Sequence, residues 1–296
     1  MDIKNLFRNN LFKDKVMIIT GGTSRMLYQV AHDFMYLGGS VALVSRREVE
    51  LDKIARRLTE SVKNKSKAKG YKGDVRKYED LYKVIDNIIK DFGKIDFLVN
   101  GASGNFLADA ENLSPNGFKT VLEIDTLGCF NMCKLVFNKW MKQHGGVIIN
   151  ISSTVHHLGT FFQVHSGSAK AAIDNITKVL ALEWGYYNVR VNGIAPGLIS
   201  NTEGFKRYMD LSFLNKRNKY LSEIKEDSFK DKIAELLPIQ VLGTKQNISH
   251  SIMFLISDAA SYITGQTIVV DGGHLATIPN YMVYSKKVSK FFKPKF

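Results

Sequence analysis

Short apolar runs recur along the chain, each followed by a longer stretch whose apolar positions fall every three or four residues. The runs are KVMIIT, SVALVS, KIDFLVN, GGVIINISS, VRVNGIAPG and QTIVVDGG, with a weaker one inside AKGYKGDV. Runs of this length, bounded by turn signals, read as strands buried on both faces. Helical spacing between them predicts helices over residues 24–37, 47–65, 78–93 and 117–142, and another from about Ser166. Strands alternating with helices imply an α/β fold, a doubly wound parallel sheet of seven strands with helices on both faces. No repeat or low-complexity linker divides the sequence, so residues 1–296 are read as one domain. In such sheets ligands bind beyond the carboxyl ends of the strands, where the strand order switches.

Charge adds a ligand class to this picture. The formal net charge is +13, which favours anionic partners. No RNP motif, zinc finger or helix-turn-helix accompanies it, so nucleic acid is not expected and phosphorylated small molecules are. No apolar run approaches the ~20 residues of a membrane span. Cys129 and Cys133 lie i,i+4 on an expected helix with no ligand cluster nearby, which predicts reduced core thiols and no metal site. The N-terminal segment carries no cleavage signal, and the lysine-rich C-terminal tail, about residues 280–296, does not end in Ser-Lys-Leu. These features predict a cytoplasmic protein.

The loops at the strand ends suit a dinucleotide in a Rossmann-like fold. Gly21 and Gly22 follow the first strand, where a turn that cradles pyrophosphate needs glycine and the next helix supplies N–H donors. Arg46 and Arg47 end the second strand, where an acidic residue would select NAD. Guanidinium groups there suit the 2′-phosphate of NADPH. Asp74 is placed for the adenine, Asn100, Gly101 and Ala102 for the adenosine side, and Pro196, Gly197 and Thr202 for the nicotinamide.

Taken in order along the chain, these loops resemble the short-chain dehydrogenase/reductase family over nearly its whole length. That family's first turn reads T-G-x-x-x-G-x-G. Here Thr20 and Gly21 are kept, but Arg25 and Leu27 replace the second and third glycines. A left-handed backbone at Arg25 would be disfavoured, and Leu27 adds bulk where helix and sheet should press together. The Arg25 guanidinium is a candidate phosphate ligand in compensation. GNFLADAENLSPNGFKTVLEIDTLGCFN, VHSGSAKAAIDNITKVLALEWG and RVNGIAPGLISNTEG are similar, more narrowly, to peroxisomal-type 2,4-dienoyl-CoA reductases. That resemblance implies NADPH-dependent reduction of a dienoyl thioester to a 3-enoyl-CoA, as an auxiliary step of fatty-acid β-oxidation. It also implies an acyl-CoA partner, a homotetramer and peroxisomal residence.

By the same resemblance, Ser153 and Lys170 take the positions of the family's serine and lysine. Ser166 stands where most members carry the proton-donating tyrosine, and Asp125 where they carry asparagine. A serine hydroxyl cannot replace a phenol of pKa ~10, so carbonyl reduction is not expected. Reduction of a dienoyl thioester needs only donors for a dienolate and a proton for its α-carbon. The expected source is a water held between Asp125 and Lys170. Asn105, Phe106, His165, Ser166, Lys206 and Arg207 are the expected substrate contacts, with a lid over about residues 205–237. The altered glycine turn supports a second reading, a catalytically silent homologue that serves as a binding or scaffold protein.

Overall fold

The last five residues of the first apolar run, Val16–Thr20, are buried without exception and form β1. The computed structural model describes residues 3–209, 234–235 and 237–277. Beyond β1, the strands are β2 (Ser40–Ser45), β3 (Ala68–Lys72), β4 (Phe97–Asn100), β5 (Gly146–Ile151), β6 (Val189–Pro196) and β7 (Thr267–Val270). They make one sheet in the order β3-β2-β1-β4-β5-β6-β7. Every neighbouring pair is parallel.

Alternate side chains of each strand enter opposite cores, as a period of two requires. Met17 and Ile19 pack under α1 (Arg25–Tyr36), α2 (Glu48–Ser61) and the helix Lys245–Ile256. Ile18 faces the other way, toward α3 (Tyr78–Phe92) and the long helices that follow β4 and β5. The chain runs outward from β1 to β3, then returns to place β4 on the other side of β1. The strand order therefore switches between β1 and β4, and the two loops leaving their carboxyl ends diverge there.

The helix expected over 117–142 extends beyond both ends of that range. It runs as α4 (Pro115–Leu122), α5 (Gly128–Val136) and α6 (Lys142–His144). Ser114 caps it, accepting the Gly117 N–H, with Pro115 at the first position. Two π-turns, Glu123–Leu127 and Phe137–Met141, join the three parts. The helix expected from about Ser166 begins at Val164 and continues to Trp184 as α7. α8 (Glu203–Met209) follows β6 and opens the expected lid, whose residues 210–233 lie outside the described ones. The basic tail at 280–296 also lies outside them. The helix Lys245–Ile256, called α9 below, is fixed at its start by a capping box between Thr244 and Asn247. Among the described residues, no helix is long and apolar enough to cross a membrane.

Candidate active site

A cleft of about 390 Å³ opens over the carboxyl ends of β1, β2, β4, β5 and β6. Its floor begins at Gly21, whose φ is +71°, and a Cβ there would lie 2.7 Å from the Gly101 carbonyl oxygen. Only glycine fits that turn without strain. The Thr20 hydroxyl ties the two loops together by accepting the Gly101 and Ala102 N–H groups at 3.0 and 3.2 Å.

Both objections raised by the sequence of this turn are met locally. Arg25 is the first residue of α1 and adopts helical backbone, so no left-handed residue is needed there. Leu27 is fully buried, and the space it fills is the space a side chain at Gly101 would take. A Cβ at Gly101 would come within 2.5 Å of Leu27 Cδ1. The close approach that a glycine on the helix would provide is provided from the strand side instead.

Ser45, Arg46 and Arg47 carry β2 into the next wall. Arg47 is committed to protein partners, donating to Thr23 Oγ1 at 2.9 Å and pairing with Glu50 at 2.9 Å. Arg46 has no ion-pair partner among the described residues, and it feels the nearby Asp74 only at longer range. Asp74 also lines the cleft, gripped by Arg76 through contacts of 2.6–3.1 Å. The Arg76 guanidinium, with smaller help from Arg46, holds the Asp74 carboxyl below its ordinary value. Pro196, Gly197 and Thr202 line the opposite wall, where Thr202 Oγ1 accepts the Phe205 N–H at the start of α8.

Asp125 and Lys170 meet beneath this cleft. Lys170, on α7, lines it and donates to Asp125 Oδ2 and to the Ile151 carbonyl oxygen, each at 3.0 Å. Two of its three donors are thus held by protein, leaving one for a group in the cleft. Asp125 is 1% exposed and has no surface on the cleft wall. It sits in the Glu123–Leu127 π-turn, an irregularity found often at functional sites. Its Oδ1 accepts the Gly104 N–H at 2.7 Å, and its Oδ2 also accepts the Ser103 hydroxyl at 2.8 Å. The expectation of a water between Asp125 and Lys170 is therefore corrected. The two charges are in direct contact, and the carboxylate reaches the cleft only through Lys170 or Ser103.

Ser153 and Ser166 line the cleft beside Lys170, and the Ser153 hydroxyl accepts the Val155 N–H at 3.4 Å. Asn105 lines it too, donating its amide to Gln163 Oε1 at 2.9 Å while its own Oδ1 is buried without a partner among the described residues. Arg207 reaches from α8 to the Asn105 carbonyl oxygen at 2.7 Å. Other expected site residues lie off the wall. Gly22 packs against Leu43, and Arg25 pairs with Glu203 at 3.7 Å instead of facing a phosphate site. The Asn100 amide is spent on Asn150 and Cys133. Phe106 stacks on His165 at 4.4 Å, and His165 Nε2 donates to the Phe106 carbonyl oxygen. Burial pushes the fully enclosed His165 ring below its usual pKa. Lys206 is exposed. Sequence reasoning missed Gln163, which belongs to no spaced motif, and placed Ser103 in the loop Asn100–Gly104 without its contact to Asp125.

A parallel sheet with a glycine turn at its switch point and a buried carboxylate–ammonium pair beside it defines a Rossmann-type nucleotide-dependent enzyme. The cleft fits a nicotinamide dinucleotide: Gly21 forms a cradle any Cβ would fill, and among the described residues Arg46 lacks an anionic partner and Asn105 Oδ1 lacks a donor. A family model described as "Enoyl-(Acyl carrier protein) reductase" matches residues 26–274. The chain belongs to the short-chain dehydrogenase/reductase family. It is 42% identical over 276 residues to the peroxisomal 2,4-dienoyl-CoA reductase of Rattus norvegicus, covering 93% of this chain and 89% of the relative. The corresponding Saccharomyces cerevisiae protein is 37% identical, with 98% and 94% covered. A short-chain dehydrogenase structure from Bacillus anthracis superposes with a TM-score of 0.77 at 33% identity, covering 90% of this chain and 98% of that one.

Proposed function

We propose that this chain reduces 2,4-dienoyl-CoA to 3-enoyl-CoA with NADPH. The observation that carries the reading is the Asp125–Lys170 pair at 3.0 Å beside Ser166, a lysine-centred site with no phenol at the tyrosine position. The relatives at 37–42% identity bear the name of this activity. Their peroxisomal names favour that compartment over the cytoplasm.

The chain's residues divide the work as follows. Gly21 and the start of α1 would take the pyrophosphate, Arg46 the 2′-phosphate, and Lys170 the nicotinamide ribose. Bound NADPH would supply the hydride. With hydride delivered to C5 of the dienoyl group, negative charge would spread through the conjugated system onto the thioester oxygen. Hydrogen bonds from Ser153 or Ser166 would then stabilise the dienolate oxygen. Protonation at C2 leaves the double bond between C3 and C4. The proton comes from a water on the cleft face of Lys170, whose ammonium is oriented and its charge balanced by buried Asp125. Arg207, tied to Asn105, would face the anionic CoA. The silent-scaffold reading rested on Arg25 and Leu27, and helical backbone at the first and the Gly101 gap beside the second remove its basis.

The first experiment is a fluorescence titration of the protein with NADPH and NADH, followed by turnover of a 2,4-dienoyl-CoA. Tight NADPH binding and turnover are expected; failure to bind either nucleotide would sink the reading. Arg46→Ala should weaken NADPH by about tenfold to a hundredfold, the value of a hydrogen bond to a charged group, and leave NADH unchanged. Equal loss for both nucleotides would remove Arg46 from phosphate selection.

The homotetramer rests on exposed Leu127 and Phe130, together with Val179 and Leu182 on α7, which offer an apolar face to further copies. Light scattering should give about four times the 33.3 kDa chain mass.

A further inference from the structure

A second hollow, of about 490 Å³, lies against the outer side of the β5–α7 loop. Its lining includes Ala108, Val155, Gly159, Phe162, Gly167 and Ala171. It shares two walls with the catalytic cleft, Val155 and Gln163, so one residue layer separates the two. The groove is a built feature. The Ala108 N–H donates to the Phe162 carbonyl oxygen at 3.0 Å, joining the loop after β4 to the loop after β5 across its roof. Thr160 Oγ1 donates to the Val155 carbonyl oxygen, and the Gly167 N–H to that of Gln163, which fixes the floor. Phe162 holds a left-handed φ of +67° to make the turn, a conformation that persists only where the surroundings impose it.

The two hollows differ in charge. The cleft carries Arg46, Arg47, Asp74, Lys170, Glu203 and Arg207 on its walls. Among the described residues, those lining the groove include no lysine, arginine, aspartate or glutamate. His156, the one titratable side chain among the described residues that line it, pairs with Asp174 at 2.8 Å and is pushed toward the neutral form chiefly by burial. A molecule lying across both sites would therefore be ionic at one end and hydrocarbon at the other.

We infer that the Val155–Gly167 groove is the subsite for the distal acyl chain of the thioester, the carbons beyond the reacting diene. The inference rests on the proposed thioester reduction. Continuity through Val155 and Gln163 assigns the occupant: once the diene lies beside Ser153, Ser166 and Lys170, its tail leaves past those two walls. The Asn105–Gln163 hydrogen bond at 2.9 Å stands at this passage. Small residues at Ala108, Gly159, Gly167 and Ala171 keep the trough open, so substrate reach is set there.

Gly167→Leu tests the assignment. A Cβ at Gly167 meets nothing nearer than 3.9 Å, so the helix accepts the substitution and the leucine fills the groove. Burying one methylene is worth about threefold to fourfold in affinity, and decanoyl differs from hexanoyl by four of them. With NADP+ present, calorimetry should show decanoyl-CoA binding weakened by about tenfold or more, with hexanoyl-CoA unchanged within about twofold. The kcat/KM values for 2,4-decadienoyl-CoA and 2,4-hexadienoyl-CoA should divide in the same way, at unchanged oligomer mass. Equal effects on both lengths, no effect on either, or dissociation of the oligomer would overturn the assignment; the last would make the groove an interface between copies. Wild-type protein that reduces neither dienoyl thioester, yet still shows chain-selective binding lost in Gly167→Leu, would overturn the reduction and leave the acyl subsite standing.

Discussion

Asp125→Ala is expected to lower kcat for dienoyl thioester reduction by about 10²–10⁴-fold, the range of a positioned proton-transfer system. The carboxylate is 1% exposed and holds three hydrogen-bond donors, from Lys170, Ser103 and Gly104. Its removal leaves the Lys170 ammonium buried with, among the described residues, only the Ile151 carbonyl oxygen as partner. Breaking a buried ion pair from one side costs about 3–5 kcal/mol, so loss of fold and loss of chemistry must be separated. Circular dichroism and a melt in saturating NADPH establish that the variant is folded. Steady-state kinetics then show whether kcat falls far more than KM changes, with the pH dependence of kcat altered. A folded Asp125→Ala protein with wild-type turnover would remove the carboxylate from proton delivery. Ser103→Ala in the same assays isolates the second connection between the carboxylate and the cleft.

Leu27 and Gly101 should behave as one unit. Leu27→Ala removes a fully buried side chain from the core over β1 and β4, at an expected cost of about 2–5 kcal/mol. Gly101→Ala drives a methyl toward Leu27 Cδ1, 2.5 Å from the ideal Cβ position, with an overpacking cost of about 1–3 kcal/mol. In the double variant each change makes room for the other. Its urea midpoint should lie closer to wild type than the sum of the singles predicts, by the coupling of about 0.5–3 kcal/mol expected of touching residues. Strictly additive losses would mean that the glycine absent from the helix has no substitute on the strand. The same cycle followed by NADPH titration shows whether this contact also sets the shape of the cradle at Gly21.

Much of this molecule is legible from residue order because parallel strands are covered on both faces. VMIIT and FLVN are buried throughout and apolar up to their last residues, Thr20 and Asn100, since neither side of those strands meets water. AKGYK was weaker because β3 is an edge strand in which only Tyr71 is buried. Arg46, Pro196 and Gly197 were readable because each lies at or just past its strand end, and Lys170 through its place in HSGSAKAA; all four line the cleft. The fit of Leu27 to Gly101 was not readable, since it depends on two neighbouring strands and the helix between them. Ser103 and Gln163 act through contacts to Asp125 and Asn105, which no spacing announces. The water expected between Asp125 and Lys170 failed for a related reason. Sequence put both residues at the site but could not show that opposite charges close to 3.0 Å.

The π-turn that carries Asp125 has a consequence for how such a site can change. An α-helix advances about 100° per residue, so the extra residue held in Glu123–Leu127 shifts the phase of everything on one side of it relative to the other. Because of that offset, Asp125 reaches Lys170 while Cys129, Met132 and Cys133 keep their places in the core. No point substitution alters a phase. Excising a single residue from the turn would restore a regular helix and rotate either the carboxylate or the core face out of register. The geometry of this position is thus guarded by chain length as well as by side-chain identity.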